Sequence, residues 1–178
     1  MHVALCLFRY FPHGGMQRDL MATARSLRAS GHEVTVYCHT WEAAAPPDLA
    51  VAVLPTTGRS NHARAQAFGR ALAGQLPRAR PDVVVGFDKV PGLDLYFAAD
   101  PCYVARAARK PWPYRLTPRY RAFAALEEAV FGPRGARVLL LDDRERAAYR
   151  RAHATAEDRF VLLPPGVARD RRRGADTP

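Results

Sequence analysis

The chain has little of what anchors, staples or metal-loads a protein. No apolar run exceeds five or six residues, against the roughly 20 that a membrane-spanning helix needs. The N-terminal apolar segment stops at Arg9 and has no basic leader, so it reads as a strand rather than a signal peptide. Three cysteines, Cys6, Cys38 and Cys102, show no C-x-x-C spacing, which argues against a disulfide framework and a zinc site and leads us to expect a reducing cytoplasm. The six histidines are scattered without H-E-x-x-H spacing, and His2, His32, His39 and His153 read as ordinary residues. There is no G-x-G-x-x-G, no G-x-x-x-x-G-K-[ST] and no D-x-D triplet, so neither a dinucleotide fingerprint, an ATP loop nor a metal clamp on a diphosphate is indicated. Lysine is nearly missing: of 27 basic residues only Lys89 and Lys110 are lysine.

What is present is one domain's worth of alternating elements. With 178 residues, 48% hydrophobic and 25% charged, the chain can bury a sizeable core. Apolar runs predict strands near 3–8, 33–38, 50–54, 82–87, 94–98, 137–142 and 159–163, and helical patterns near 16–29, 62–76, 118–131 and 143–153 fill the gaps. Gly31 reads as a helix C-cap, and Thr117-Pro118 as a helix start with proline at the first position. Strand and helix in turn predict an α/β fold with a doubly wound parallel sheet. Ligands of such sheets bind at the carboxyl ends of the strands, where segments 13–19, 87–93 and 98–103 are expected to converge on one mouth.

The opening, MHVALCLFRYFPHGGMQRD, joins a buried strand to a helix through two glycines. Gly14 and Gly15 read either as a phosphate cradle, with backbone N–H groups and a helix N-terminus facing an anion, or as a tight turn. His13 stands beside them. Asp19, expected in the helix's first turn, is placed to accept hydroxyl bonds or to complement the helix dipole. Asp100, just past a strand end, reads as a carboxylate at the mouth or as the N-cap of the following segment. Lys89 is expected to reach an anionic group or to pair with Asp88 or Asp94. Glu127 falls on the apolar stripe of its helix, aimed inward, and is expected to pair with an arginine.

The formal charge is +10. Between Asp100 and Glu127 there is no acidic residue, while Arg106, Arg109, Lys110, Arg115, Arg119 and Arg121 alternate with Tyr103, Trp112, Tyr114, Tyr120 and Phe123. Such a stretch suits an anionic membrane surface or a nucleic acid backbone, or is a solvated basic face with its rings turned inward.

Across nearly the whole chain, the segments FPHGGMQRDL, SGHEVTVYCHTWE, VVGFDKVPGLDLYFAADPCY, YRLTPRYRAFAALE and RFVLLPPGV resemble the lipopolysaccharide core heptose glucosyltransferases, family 4 retaining enzymes of the two-Rossmann-domain (GT-B) type. The resemblance implies an N-terminal, acceptor-side domain over residues 1–167 and an Arg-rich tail or linker over 168–178. The donor-binding domain would lie outside this sequence. It implies transfer of glucose from UDP-glucose to an inner-core heptose at the cytoplasmic face of the inner membrane. No metal or other cofactor would be required. Asp100 and Asp19 then become the candidate catalytic residues, and Gly14, Gly15 and Arg171 the candidate donor-phosphate contacts. Lys89, His13 and Asp100 are the candidate acceptor contacts. Arg106, Arg109, Lys110, Trp112, Tyr114, Arg115, Arg119 and Arg121 would dock anionic lipid. Two other readings stand: a truncated, catalytically silent half that binds only acceptor and membrane, and a single-stranded nucleic-acid module. The second lacks any RNP-type or helix-turn-helix signature, so nucleic acid is not the expected partner.

Overall fold

The structure, a computed structural model, describes residues 1–163. Seven strands form one parallel sheet: β1 (His2–Tyr10), β2 (Glu33–Trp41), β3 (Ala50–Val53), β4 (Val83–Gly86), β5 (Leu95–Ala98), β6 (Arg137–Leu140) and β7 (Phe160–Leu162). Their spatial order is β3-β2-β1-β4-β5-β6-β7, and every adjacent pair is parallel. The chain therefore winds outward from β1 in one direction, then returns to its other side at β4. The gap between the ends of β1 and β4 is the topological switch point, where doubly wound sheets hold their ligands.

β1 shows why the sheet forms. Val3 through Leu7 are all buried, as expected of a central parallel strand covered on both faces. With side chains alternating, Val3, Leu5 and Leu7 pack with Leu20, Met21 and Ala24 of α1 (Gly15–Ala29) on one face. Ala4 and Cys6 pack with Phe68, Leu72 and Leu76 of α2 (Asn61–Ala79) on the other. α4 (Pro118–Phe131) and α5 (Arg146–His153) close a third cluster over β5 and β6, built on Tyr96, Phe131 and Tyr149. Phe131 and Tyr149 stack in parallel at 3.8 Å between ring centroids.

The helix boundaries follow local chemistry. Gly31 takes the left-handed conformation, φ 82°, just after α1, and Thr117 Oγ1 accepts from the Tyr120 N–H to cap α4 ahead of Pro118. α2 runs past Pro77 to Ala79, three residues beyond its expected end, because a proline in the last turn removes only one helical bond there. Three elements appear that the sequence did not announce: α3 (Tyr103–Ala107) and 3-10 turns over Trp112–Leu116 and Glu157–Arg159.

Candidate active site at the switch point

A pocket of about 310 Å³ opens at the switch point. Phe8 at the end of β1 and Asp88, Lys89 and Val90 after β4 form its floor, and Asp100 to Tyr103 form one rim. α2 and α4 supply the apolar walls, Phe68 from the former and Phe123 and Leu126 from the latter. Two of the three expected loops thus meet. Segment 13–19 does not line this pocket, and its place is taken by the two helices.

Asp88 is held by one backbone bond, its Oδ2 accepting from the Phe8 N–H at 2.6 Å. Burial raises its carboxyl to about 6, with the nearby Asp100 charge adding to the effect, against the lowering influences of the Phe8 N–H and Lys89. The sequence offered Asp88 only as a possible partner for Lys89. Its position one residue before that lysine, at a strand end, was the signal.

Lys89 is not a free cation waiting for an acceptor. Its Nζ lies 2.5 Å from Glu127 Oε1 and donates to the Pro101 carbonyl at 3.2 Å, and its side chain is 14% exposed. Glu127, fully buried, points inward as expected, but its partners are Lys89 and His153 and not an arginine, because the crossover from β4 brings Lys89 under α4 and α5 brings His153 beside it. His153, read as an ordinary residue, proves to be a buried member of this cluster.

Five donors converge on the Glu127 carboxylate: Lys89 Nζ, the Tyr103 N–H at 2.7 Å, the Val104 N–H at 2.8 Å, His153 Nε2 at 3.1 Å and Cys102 Sγ at 3.6 Å. Burial alone would raise the Glu127 carboxyl, but these donors outweigh it and hold the group at about 2. Burial alone would likewise lower His153. Its bonds to Cys102, Glu127 and Glu128 prevail and lift it to about 10. Cys102, Glu127 and His153 present their ligand atoms within 4.8 Å of one another, a spacing that could hold a metal ion. In this arrangement the same atoms are engaged in hydrogen bonds: both imidazole nitrogens face carboxylates, and Glu127 accepts from Lys89 and two backbone N–H groups.

The other expected residues lie as follows. Gly14 precedes α1, and a Cβ there would collide with the Gln17 side chain and the Phe11 ring, whereas Gly15 opens onto free space. His13 is exposed beside them. Asp19 is exposed too, but on the second turn of α1; its first turn carries no acid. Asp100 does not cap α3, whose cap residue is Cys102 and whose leading N–H groups are bonded to glutamates. Arg171 lies outside the described residues.

In the basic stretch the rings divide. Tyr103, Tyr114, Tyr120 and Phe123 form a cluster, with Tyr103 and Tyr114 hydroxyls 2.9 Å apart, so Tyr114 is half-buried. Trp112 and Leu116 stand out, 72% and 55% exposed, in a segment where Arg109, Lys110, Arg115 and Arg119 are exposed as well, while Arg106 and Arg121 are exposed on the flanking helices. No helix among the described residues is long and apolar enough to cross a membrane.

The fold defines a Rossmann-like, doubly wound α/β domain with a ligand-sized pocket at its switch point. The chain belongs to Glycosyltransferase Family 4, whose model matches residues 13–171. It is 41% identical over its whole length to the lipopolysaccharide glucosyltransferase WaaG of Escherichia coli K12, of which it spans 48%. It superposes on the crystal structure of WaaG, a glycosyltransferase involved in lipopolysaccharide biosynthesis, with a TM-score of 0.92 at 40% identity, covering 99% of this chain and 48% of that one. A Rickettsia africae glycosyltransferase shares the fold, with a TM-score of 0.57 at 11% identity over 99% of this chain and 46% of its own. The chain thus spans about half the length of the relatives it matches.

Proposed function

We propose that this chain is the acceptor-side domain, residues 1–167, of a retaining transferase that moves glucose from UDP-glucose to the inner-core heptose of lipopolysaccharide. The observation that carries the reading is the 41% identity to a lipopolysaccharide glucosyltransferase over the entire chain. The pocket agrees with it: Asp88 and Asp100 offer acceptors for sugar hydroxyls, and Phe68, Phe123 and Leu126 offer apolar surface for a ring face. In a metal-free mechanism the departing phosphate is stabilised by N–H donors and cations, and the Gly14-Gly15 backbone at the start of α1 supplies the donors on this side. Asp19 and His13, exposed nearby, complete the surface that a donor-binding half would close upon.

The test is UDP release from UDP-glucose with a heptose-terminated core acceptor. Turnover dependent on both substrates is expected from the protein that pairs this domain with its donor half. A second reading concerns the chain by itself, a silent half that binds acceptor and membrane only. Acceptor binding without UDP release would select that reading, and neither would refute both.

Membrane attachment is the companion proposal. The acceptor is a lipid-anchored glycan, and the exposed Trp112 and Leu116 amid Arg109, Lys110, Arg115 and Arg119 form a surface suited to the anionic inner leaflet at the cytoplasmic face. Each basic residue near such a surface contributes about 1 kcal/mol. Replacing Arg109, Lys110 and Arg115 together by alanine is therefore expected to lower partition onto anionic vesicles about a hundredfold. Flotation that ignores anionic lipid content would remove the proposal.

A further inference from the structure

The stretch from Asp100 to Val104 is bound to the fold almost atom by atom. The Tyr149 hydroxyl donates to the Asp100 carbonyl at 2.5 Å, and Lys89 Nζ donates to the Pro101 carbonyl at 3.2 Å. The Cys102 N–H donates to Glu145 Oε2 at 2.9 Å, and the Tyr103 and Val104 N–H groups donate to the two oxygens of Glu127. The partners come from the β4 crossover, from α4 and from α5 with the turn before it. A loop normally leaves such groups to water. Here they are fixed, and the exposed side chain of Asp100 is left facing the pocket.

We propose that Glu127 and Tyr149 are positioning residues that hold the Asp100 carboxylate at the pocket rim for a hydroxyl of the acceptor sugar. This rests on the glucosyltransferase reading above and deepens it. Neither residue touches the acceptor. Glu127 works through Lys89 and the α3 N–H groups, and Tyr149 through the Asp100 carbonyl itself. A carboxylate whose backbone is already immobile accepts a hydroxyl without losing further loop freedom, which is how pre-organisation raises affinity. Tyr149 separates positioning from stability, because its ring keeps its stack on Phe131 when only the hydroxyl is removed.

The experiment titrates a deacylated, heptose-terminated inner-core oligosaccharide into the wild-type chain and into Tyr149→Phe and Glu127→Gln, below the unfolding midpoint of each. Deacylation removes any membrane contribution. Acceptor Kd is expected to rise about fivefold in Tyr149→Phe with its unfolding midpoint within a few degrees of wild type, and about tenfold or more in Glu127→Gln. Amide exchange at Cys102 to Val104 should quicken in Glu127→Gln. A wild type that binds no acceptor would overturn the functional reading and this inference with it. A wild type that binds, beside folded variants that bind equally well, would overturn the inference alone, since a merely structural role leaves the Kd of folded protein unchanged.

Discussion

Replacement of Glu127 by alanine is expected to destabilise the protein by about 3–5 kcal/mol, the cost of removing one partner from a buried ion pair and leaving the other uncompensated. Two cations are stranded, the Lys89 ammonium and the His153 ring, together with the first N–H groups of α3. The pH dependence identifies the cause. His153, raised from 6.5 to about 10, contributes stability that is complete below 6.5 and is lost as pH rises through 10. Glu127, lowered from 4.5 to about 2, contributes stability that is complete above 4.5 and is lost as pH falls through 2. The two windows overlap between about pH 4.5 and 6.5, where the deficit of the variant should be greatest. Urea unfolding at pH 5.5, 7.5 and 9.5 checks this: the gap between wild type and variant should narrow with rising pH. Equal unfolding free energies at pH 5.5 would show that the cluster contributes nothing.

That cluster also marks where the sequence stopped being readable. β1, α1 and the Thr117-Pro118 helix start are written in local signals, namely an unbroken apolar run, a glycine C-cap and a threonine cap, and the structure places them within a residue or two of expectation. α3 is different in kind. It is five residues long, opens without a capping side chain of its own, and is bonded through glutamates 23 to 43 positions away. No window of local sequence contains its cause. Glu127 was legible as an inward acid from its stripe, but not its partner, because 25 of the 27 basic residues are arginine and only the topology selects Lys89. Asp100 was placed correctly at the mouth. Asp19 was not placed in the first turn of α1, since that helix begins at Gly15 and the aspartate falls one position too late.

Asp88→Asn should make the protein more stable than wild type above pH 6. The Asp88 carboxyl is raised from 3.8 to about 6, so ionising it costs folding free energy: nothing below pH 4, an increasing amount through the interval to 6, and the full cost above it. Two units correspond to about 3 kcal/mol, which is the upper bound on the gain at pH 8. Asparagine keeps an oxygen to accept from the Phe8 N–H and never ionises, so the two proteins should unfold at closely similar denaturant concentrations at pH 4 and diverge as pH rises. Parallel curves at pH 4 and 8 would mean that Asp88 is hydrated in solution and its burial without consequence. Asp88 stands at the switch point and lines the pocket, so the same substitution tests binding as well as stability. Stability and acceptor affinity should therefore move in opposite directions: Asp88→Asn gains the first while, at pH 8, exchanging a charged hydroxyl acceptor for a weaker neutral one.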